Sequence, residues 1–298
     1  MGSGTWTASA YTAYRSSTGV TAENLSKSTV QQLYRSNHLA KELNPYKITR
    51  ECRDTDEHPY TVPVIIGLDV TGSMGSAAES IAKQLNGIMT ELYKSVKDVE
   101  FCFMGIGDLS YDDAPIQMSQ FESDTRIAEQ LEKTYFEGGG GGNTYESYTG
   151  VWYMAAHHTD LDCWKRGKKG LIITLGDEPL NPYLPRAPLQ IATGDTLQAD
   201  VETKELYPLV TEKYEVFHFI VNDPRTSYRR YKERANESWS EYLGADHLKT
   251  VTCDSLGDEI IRTITNHAQG FGSSAAAEVI GTPTGTGIIL NENGNVVW

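Results

Sequence analysis

The sequence lacks the features that mark a membrane protein or a non-specific nucleic-acid binder. No apolar run is long enough to cross a bilayer, and the N-terminal stretch has no apolar core of the kind that a secretory signal needs. The 298 residues contain 26 Lys and Arg against 40 Asp and Glu, a formal net charge of -14. Such an excess of negative charge argues against binding to a phosphate backbone. We therefore predict a cytoplasmic protein that binds neither nucleic acid nor membrane.

Cysteine is scarce, and its spacing excludes the common paired motifs. The four cysteines are Cys52, Cys102, Cys163 and Cys253, and no two of them form a CxxC pair. Cys102 falls within an apolar stretch and Cys253 at the end of another, which is typical of buried free thiols. Free thiols suit a reducing compartment.

Apolar runs alternate with helical patterns through the middle of the chain. The stretch at 64–68 is apolar throughout, which is typical of a strand covered on both faces of a sheet. Further strands are predicted at 99–105, 115–121, 171–174, 216–221 and 248–251, with 115–121 at an edge. Helices are predicted at 21–35, 81–92, 124–133, 145–158, 200–214, 226–242 and 256–267, and Pro208 is expected to kink or restart its helix. The alternation predicts a doubly wound α/β fold, with a mostly parallel central sheet flanked by helices.

Composition divides the chain into three parts. Residues 1–60 are rich in Ser, Thr and Tyr and are predicted to form an N-terminal arm that packs on the domain or is partly disordered. Residues 61–268 hold the α/β domain. Residues 269–298 have the composition of a flexible tail, and Asn293-Gly294 could close a short hairpin there.

Polar side chains lie in three loops that lead from the predicted strands, directly after a strand or at the start of a helix. Asp69, Thr71 and Ser73 follow the first strand, Thr144 follows five glycines at a helix start, and Asp177 follows the strand at 171–174. In open α/β sheets the carboxyl ends of the strands form the binding edge, so these side chains are expected to lie together. Carboxylate and hydroxyl oxygens suit Mg2+. Taken singly, each residue also has a structural explanation as a helix cap or a strand end.

These loops resemble a known metal site. DVTGSM, GGNTYES and the late strand with its Asp are similar to the metal-ion-dependent adhesion site of von Willebrand factor A domains, and the resemblance covers residues 63–268. RDTDEHP, GIGD, the glycine run and LGDEP are more similar to a bacterial and phage-borne subgroup than to extracellular adhesins. The family pattern implies metal ligands at Asp69, Thr71, Ser73, Thr144 and Asp177.

The sequence departs from the family pattern in two places. Thr71 stands where serine is more usual, which keeps the hydroxyl. Asp177 follows Leu175-Gly176 instead of closing the strand in a Thr-Asp-Gly arrangement, so Glu178 remains an alternative ligand.

The resemblance implies a binding protein without catalysis of its own. Neutral hydroxyls would hold Mg2+, or Mn2+ or Ca2+, without quenching its charge, and an open position would attract an Asp or Glu of a partner protein. A basic rim on that partner would suit the acidic chain. Bacterial relatives are often linked to MoxR-type AAA+ ATPases, which suggests such an ATPase or its client as the partner. The chain's own basic stretches, 165–169 and 225–234, are interpreted as solvated faces.

An enzyme remains the alternative. Haloacid-dehalogenase-like phosphohydrolases share this sheet type, and in that family Asp69 would be the nucleophile and Gly176-Asp177 would hold Mg2+. Position 71 is Thr where that family has an acid/base Asp, and only Lys168 and Lys169 are candidates for its lysine. The G-x-S-x-G arrangement of a serine nucleophile is absent around Ser73.

Overall fold

Six strands form the central sheet of the protein. The computed structural model describes residues 4–138 and 145–271, together with two short strands near the C-terminal end. The sheet contains β2 (Val62–Asp69), β3 (Val99–Ile106), β4 (Ile116–Met118), β6 (Gly170–Gly176), β9 (Tyr214–Val221) and β10 (Leu248–Val251). Its strand order is β10-β9-β6-β2-β3-β4, and only β4 runs antiparallel to its neighbour. The predicted doubly wound α/β fold and the predicted edge strand are confirmed.

Ten α-helices are described, on both faces of the sheet. They are α1 (Ala8–Thr18), α2 (Ala22–Leu25), α3 (Val30–Leu33), α4 (Gly75–Ser95), α5 (Arg126–Lys133), α6 (Thr149–His157), α7 (Arg186–Thr193), α8 (Thr203–Lys213), α9 (Tyr228–Ser240) and α10 (Leu256–Ala268). One face of the sheet packs against α1, α3, α4, α5 and α10, and the other against α6, α7, α8 and α9. None of the helices in the described part of the chain has both the length and the apolar character needed to span a bilayer.

Short strands and single turns complete the fold. The remaining strands pair in twos: β1 (Arg50–Cys52) with β5 (Thr159–Leu161), β7 (Tyr183–Leu184) with β8 (Val201–Glu202), and β11 (Ile289–Leu290) with β12 (Val296–Val297). The last pair is antiparallel. The rest of the predicted tail beyond residue 271 lies outside the described residues. Turns of 3-10 helix occupy Lys41–Leu43, Gly72–Met74, Asp162–Arg166 and Gln269–Phe271.

The alternation of side chains along β2 explains the two-sided core. Ile66 and Leu68 point into the cluster beneath α4, while Ile65 points into the cluster beneath α6. Gly67 faces α6, where a Cβ would lie 2.6 Å from Cγ2 of Val151. The glycine therefore permits α6 to pack closely on the sheet.

The N-terminal segment differs from the helix predicted at 21–35. The longest helix there, α1, lies earlier, and residues 21–35 contain only the one-turn helices α2 and α3. Thr21 and Thr29 both have extended backbone and each begins a new helix, and Thr29 forms a capping box with Gln32. Val30 and Leu33 bury against the core cluster that α4 also lines. The single-helix prediction was wrong because α2 ends at Leu25 and the capping box at Thr29 begins a separate helix.

Three prolines lie at or within the helices that follow β6. The Pro-rich loop after β6 contains α7, which begins directly after Pro185 and holds Pro188 in its first turn, where no intrahelical N–H bond is required. The sequence predicts a kink or a restart at Pro208; α8 runs as one helix from Thr203 to Lys213 with Pro208 inside it, so the helix does not restart there. Buried Leu206 and Val210 on either side of Pro208 hold that helix against the sheet.

All four cysteines are free and buried, as predicted. The thiol of Cys52 donates a hydrogen bond of 3.1 Å to Oε2 of Glu100, which is buried on β3. Oε1 of Glu100 has no partner among the described residues. Burial raises the pKa of this carboxyl from its ordinary 4.5 to about 7.

Glu100→Gln is expected to change how stability depends on pH. Between pH 4.5 and 7 the native state keeps a proton on Glu100 that the unfolded chain releases, so this group lowers stability as pH rises. The difference in unfolding free energy between wild type and variant should fall by about 1.4 kcal/mol per pH unit across that window. Urea unfolding across this range measures it, with the exposed Glu205→Gln as the matched control. Parallel curves for wild type and Glu100→Gln would contradict the prediction.

Candidate metal centre

The candidate site lies where the parallel strands end. Asp69 is the last residue of β2, and Asp177 directly follows β6, its neighbour in the sheet. Thr71 precedes the 3-10 turn that contains Ser73, and α4 begins directly after that turn. The structure thus places these four predicted residues at one edge of the sheet. The fifth, Thr144, lies outside the described residues.

Both oxygens of the Asp69 carboxylate accept hydrogen bonds. Oδ1 accepts from the backbone N–H of Thr71 at 2.9 Å and from its hydroxyl at 2.5 Å. Oδ2 accepts from the hydroxyl of Tyr148 at 2.7 Å. Asp69 is fully buried, so burial, together with the negative charge of Asp177, raises its pKa well above the ordinary range. These neutral donors stabilise the charged form only in part.

Asp177 is also fully buried, and one of its oxygens has no hydrogen bond. Oδ2 accepts from the backbone N–H of Ser227, whereas Oδ1 has no hydrogen-bond partner within the described residues. Burial raises the pKa of Asp177, and the nearby side chain of Ser73 lowers it in part. An unpartnered buried carboxylate oxygen is costly, so this atom marks the position where a cation would be stabilised.

Further carboxylates surround the pair. Glu146 and Asp108 are nearly fully buried, and Oε2 of Glu146 and Oδ2 of Asp108 have no partner among the described residues. Burial and the charge of Asp69 raise the pKa of Glu146 well above its usual range. Burial and the charge of Asp177 raise the pKa of Glu178 to about 7. These carboxyls therefore resist ionisation unless a cation compensates their charge.

The donor chemistry fits a hard divalent cation. Asp69 and Asp177 supply carboxylates, and Ser73 and Thr71 supply hydroxyls, all oxygen ligands of the kind that Mg2+ prefers. No group of three or more His, Cys, Asp and Glu side chains converges in metal-binding geometry within the described ranges. A cation here would therefore depend on hydroxyls, and on water, as well as on the two carboxylates. Glu178 is half-buried, whereas Asp177 is fully buried with an unpartnered oxygen, so the geometry favours Asp177.

Tyr148 belongs to the site, and the sequence reasoning missed it. The helix predicted at 145–158 begins only at Thr149, because residue 146 forms a β-bridge with Leu180 instead. This turn directs the Tyr148 hydroxyl to Asp69. Gly176 is the available sequence signal: a side chain at the end of β6 would collide with the Tyr148 ring and hydroxyl.

An aromatic cluster supports Tyr148 from below. Its ring lies 5.5 Å from those of both His218 and Trp239, and the latter two stack at 3.5 Å. His218 is fully buried, and its Nδ1 lies 2.8 Å from the hydroxyl of Thr174. Burial holds the pKa of His218 well below its ordinary value, so the imidazole is neutral. The cluster therefore positions Tyr148 without adding charge to the site.

Comparisons with known proteins give similarities to solved structures at low sequence identity. Neither a protein-family model nor a curated protein sequence matches the chain. The structure is similar to the pilus adhesin SpaC from Lactobacillus rhamnosus GG, with 13% identity, a TM-score of 0.48 and coverage of 76% of this chain and 32% of SpaC. The chain thus spans about a third of the length of that adhesin.

Two further structures are similar over most of their own length. The vWF domain of the type V pili tip protein Mfa5 from Porphyromonas gingivalis has 13% identity, coverage of 72% of this chain and 97% of that domain, and a TM-score of 0.42. The conserved hypothetical protein BatB from Bacteroides thetaiotaomicron has 17% identity, coverage of 70% and 99%, and a TM-score of 0.42. Because all these TM-scores lie below 0.5, the function proposed below rests on the chain's own residues.

Proposed function

We propose that this chain binds a partner protein through a divalent cation, Mg2+ in the first instance. The observation that supports the proposal is the pair of buried carboxylates, Asp69 and Asp177, at adjacent strand ends. No Lys, Arg or His side chain donates to either of them in the described part of the chain, and Oδ1 of Asp177 is unpartnered. A cation would compensate both charges and satisfy that oxygen.

The binding would follow from incomplete compensation of the ion. Asp69 and Asp177 would hold it directly or through water, and the hydroxyls of Thr71, Ser73 and Thr144 would orient it without adding negative charge. The remaining position would attract an Asp or Glu of the partner. The helix α4, 21 residues long, begins at Gly75 beside this site, and its amino end favours an incoming carboxylate.

The phosphohydrolase alternative has less support from the geometry of Asp69. A nucleophilic carboxylate needs an oxygen free to attack, whereas three hydrogen bonds engage both oxygens of Asp69. Thr71 supplies two of those bonds from the position where that enzyme family has its acid/base Asp. We therefore propose a protein without catalysis of its own.

The sequence resemblance extends the proposal to a biological setting. An intracellular accessory or assembly protein of a bacterium or phage, with a MoxR-type AAA+ ATPase or its client as partner, would agree with the subgroup that RDTDEHP and LGDEP resemble. In the structure, RDTDEHP forms a turn in which Asp54 accepts hydrogen bonds from Thr61 and pairs with Arg166. That segment therefore has a structural role of its own before β2.

Thermal unfolding in Mg2+, Mn2+, Ca2+ and EDTA tests the metal site. An ion at 100 times its dissociation constant stabilises the native state by about 2.7 kcal/mol, which raises Tm by several degrees. Ser73→Ala and Asp177→Asn should lose this shift, because each removes an oxygen that the ion needs. Ser95→Ala, at the other end of α4, is the matched control and should keep it.

Two results would overturn the proposal. The first is the absence of a shift with any ion in wild type, and the second is a shift that both Ser73→Ala and Asp177→Asn retain. A phosphate-ester assay on the same samples is expected to show no turnover. Metal-dependent turnover that Asp69→Asn abolishes would favour the phosphohydrolase instead.

A further inference from the structure

A cavity of about 470 Å3 opens along the segment that follows Asp177 in the chain. Its walls include Tyr145, which follows the glycine-rich loop, and Pro179 and Leu180, which come shortly after Asp177 in the chain. Arg234 and Ser238 of α9 also line it. The segment that follows Asp177 thus leads from the metal centre into the cavity.

The helix α9 is fixed along the segment 177–180. The backbone N–H of Ser227, just before α9, donates to Asp177. Near the other end of the helix, the hydroxyl of Ser238 accepts from the backbone N–H of Leu180 at 3.0 Å, and the indole of Trp239 donates to the carbonyl of Glu178 at 3.1 Å. Residues in the middle of α9 therefore keep a defined position relative to the metal centre.

Arg234 lies in this middle part and offers an oriented guanidinium. Its Nη2 donates to the hydroxyl of Tyr145 at 3.1 Å, and its Cζ lies 5.4 Å from the centre of the Tyr145 ring. Arg234 is exposed and forms no ion pair in the described ranges; its positive charge lowers the pKa of Glu178 in part, and Glu237 of the same helix also lines the cavity. Guanidinium groups bind carboxylates through two parallel N–H bonds, so Arg234 retains capacity for such a ligand.

We propose that the cavity receives a segment of the partner protein that carries two acidic side chains. The first completes the coordination of the metal, and the second pairs with Arg234. The inference rests on the proposed function, because the first carboxylate is the one that the metal binds. Charge complementarity identifies the occupant: a cation held at Asp177 and the guanidinium of Arg234 would be two positive points along the contact between the segment 177–180 and α9, in a chain whose net charge is -14.

A nucleic acid is the competing occupant and fits less well. Glu202, Glu237 and Glu241 also line the cavity and would repel a continuous phosphate backbone. A peptide can carry two carboxylates at separate positions, one to bind the metal and one to pair with Arg234. The neutral residues between them would then lie near these glutamates. The structure therefore favours a peptide segment.

A set of labelled Gly/Ser-rich peptides tests the inference by fluorescence anisotropy. One peptide carries a single Asp, and the others carry a second acidic residue two, three or four positions away. In Mg2+ the best two-acid peptide is expected to bind wild type about tenfold more tightly than the one-acid peptide. Arg234→Gln should lose that gain and keep the one-acid affinity. Arg234→Lys should recover only part of the gain because it lacks the planar fork.

The controls separate this inference from the proposed function. Arg229→Gln removes another exposed arginine from α9 and should keep the gain. Asp177→Asn or EDTA should abolish binding of all the peptides, and binding that survives both would overturn the proposed function. The second acidic residue could raise the affinity equally for wild type and Arg234→Gln, or at no spacing at all. Either result would overturn the pairing of a second carboxylate with Arg234 and leave the metal-dependent binding of the first carboxylate standing. Tighter binding of a single-stranded oligonucleotide than of the two-acid peptide would overturn that pairing too.

Discussion

Replacing Glu132 by alanine is expected to lower the free energy of unfolding by about 3–5 kcal/mol. Glu132 on α5 pairs with Arg15 of α1, and the two residues are only 6% and 3% exposed. It also accepts a hydrogen bond of 2.9 Å from the hydroxyl of Tyr14. Without Glu132, the guanidinium of Arg15 would remain buried, and among the described residues its one remaining hydrogen-bond partner would be the hydroxyl of Tyr11 at its Nε. Urea unfolding followed by circular dichroism measures the loss.

Two further variants show whether the loss comes from the buried charge. Glu91→Ala breaks an exposed pair with Lys94 on α4 and should cost less than about 1 kcal/mol. The double variant Arg15→Met with Glu132→Leu should recover most of the loss, since apolar side chains can replace a buried pair. If Glu132→Ala lowers the free energy of unfolding by no more than Glu91→Ala does, α1 does not contribute to the folded core in solution.

Trp239→Ala is expected to cost a similar amount, about 3–5 kcal/mol. The Trp239 side chain is fully buried, stacks on His218 and lies 6.1 Å, centre to centre, from Trp152. Its removal would leave a large cavity beneath α9 and an unpaired carbonyl at Glu178. We also expect a smaller Tm shift with Mg2+, because Tyr148 loses the ring that supports it. Chemical unfolding and the metal titration measure the two effects separately.

Trp164 provides the matched control for the loss of a tryptophan. It is half-buried, and its indole donates to the carbonyl of Lys213 at 3.2 Å, away from the metal centre. Trp164→Ala should cost about 1–2 kcal/mol and leave the Mg2+ response unchanged. Equal effects of the two substitutions on stability and on the Mg2+ response would contradict a supporting role for Trp239.

The sequence was most informative where the pattern is local. The apolar run of β2 and the helical spacing of α4 gave the strand, the turn and the helix in order, because burial on both faces of a parallel sheet leaves a periodic trace. Asp69 and Asp177 could be expected at one edge because parallel strands end together. Prediction failed in the N-terminal segment, where the end of α2 at Leu25 and the capping box at Thr29 outweighed weak helical spacing.

Local sequence patterns predict the fold class and place Asp69 and Asp177 at strand ends, with Thr71 and Ser73 in the turn that follows Asp69. The tertiary structure alone decided what surrounds them. Tyr148 reaches Asp69 across 79 residues of sequence, Arg234 reaches Tyr145 across 89, and Arg15 reaches Glu132 across 117. Hydrophobic periodicity indicates which face of an element is buried, but the same pattern is compatible with many partners. Which partner an element contacts depends on the packing of elements that are distant in sequence, because their buried polar atoms must all find hydrogen-bond partners.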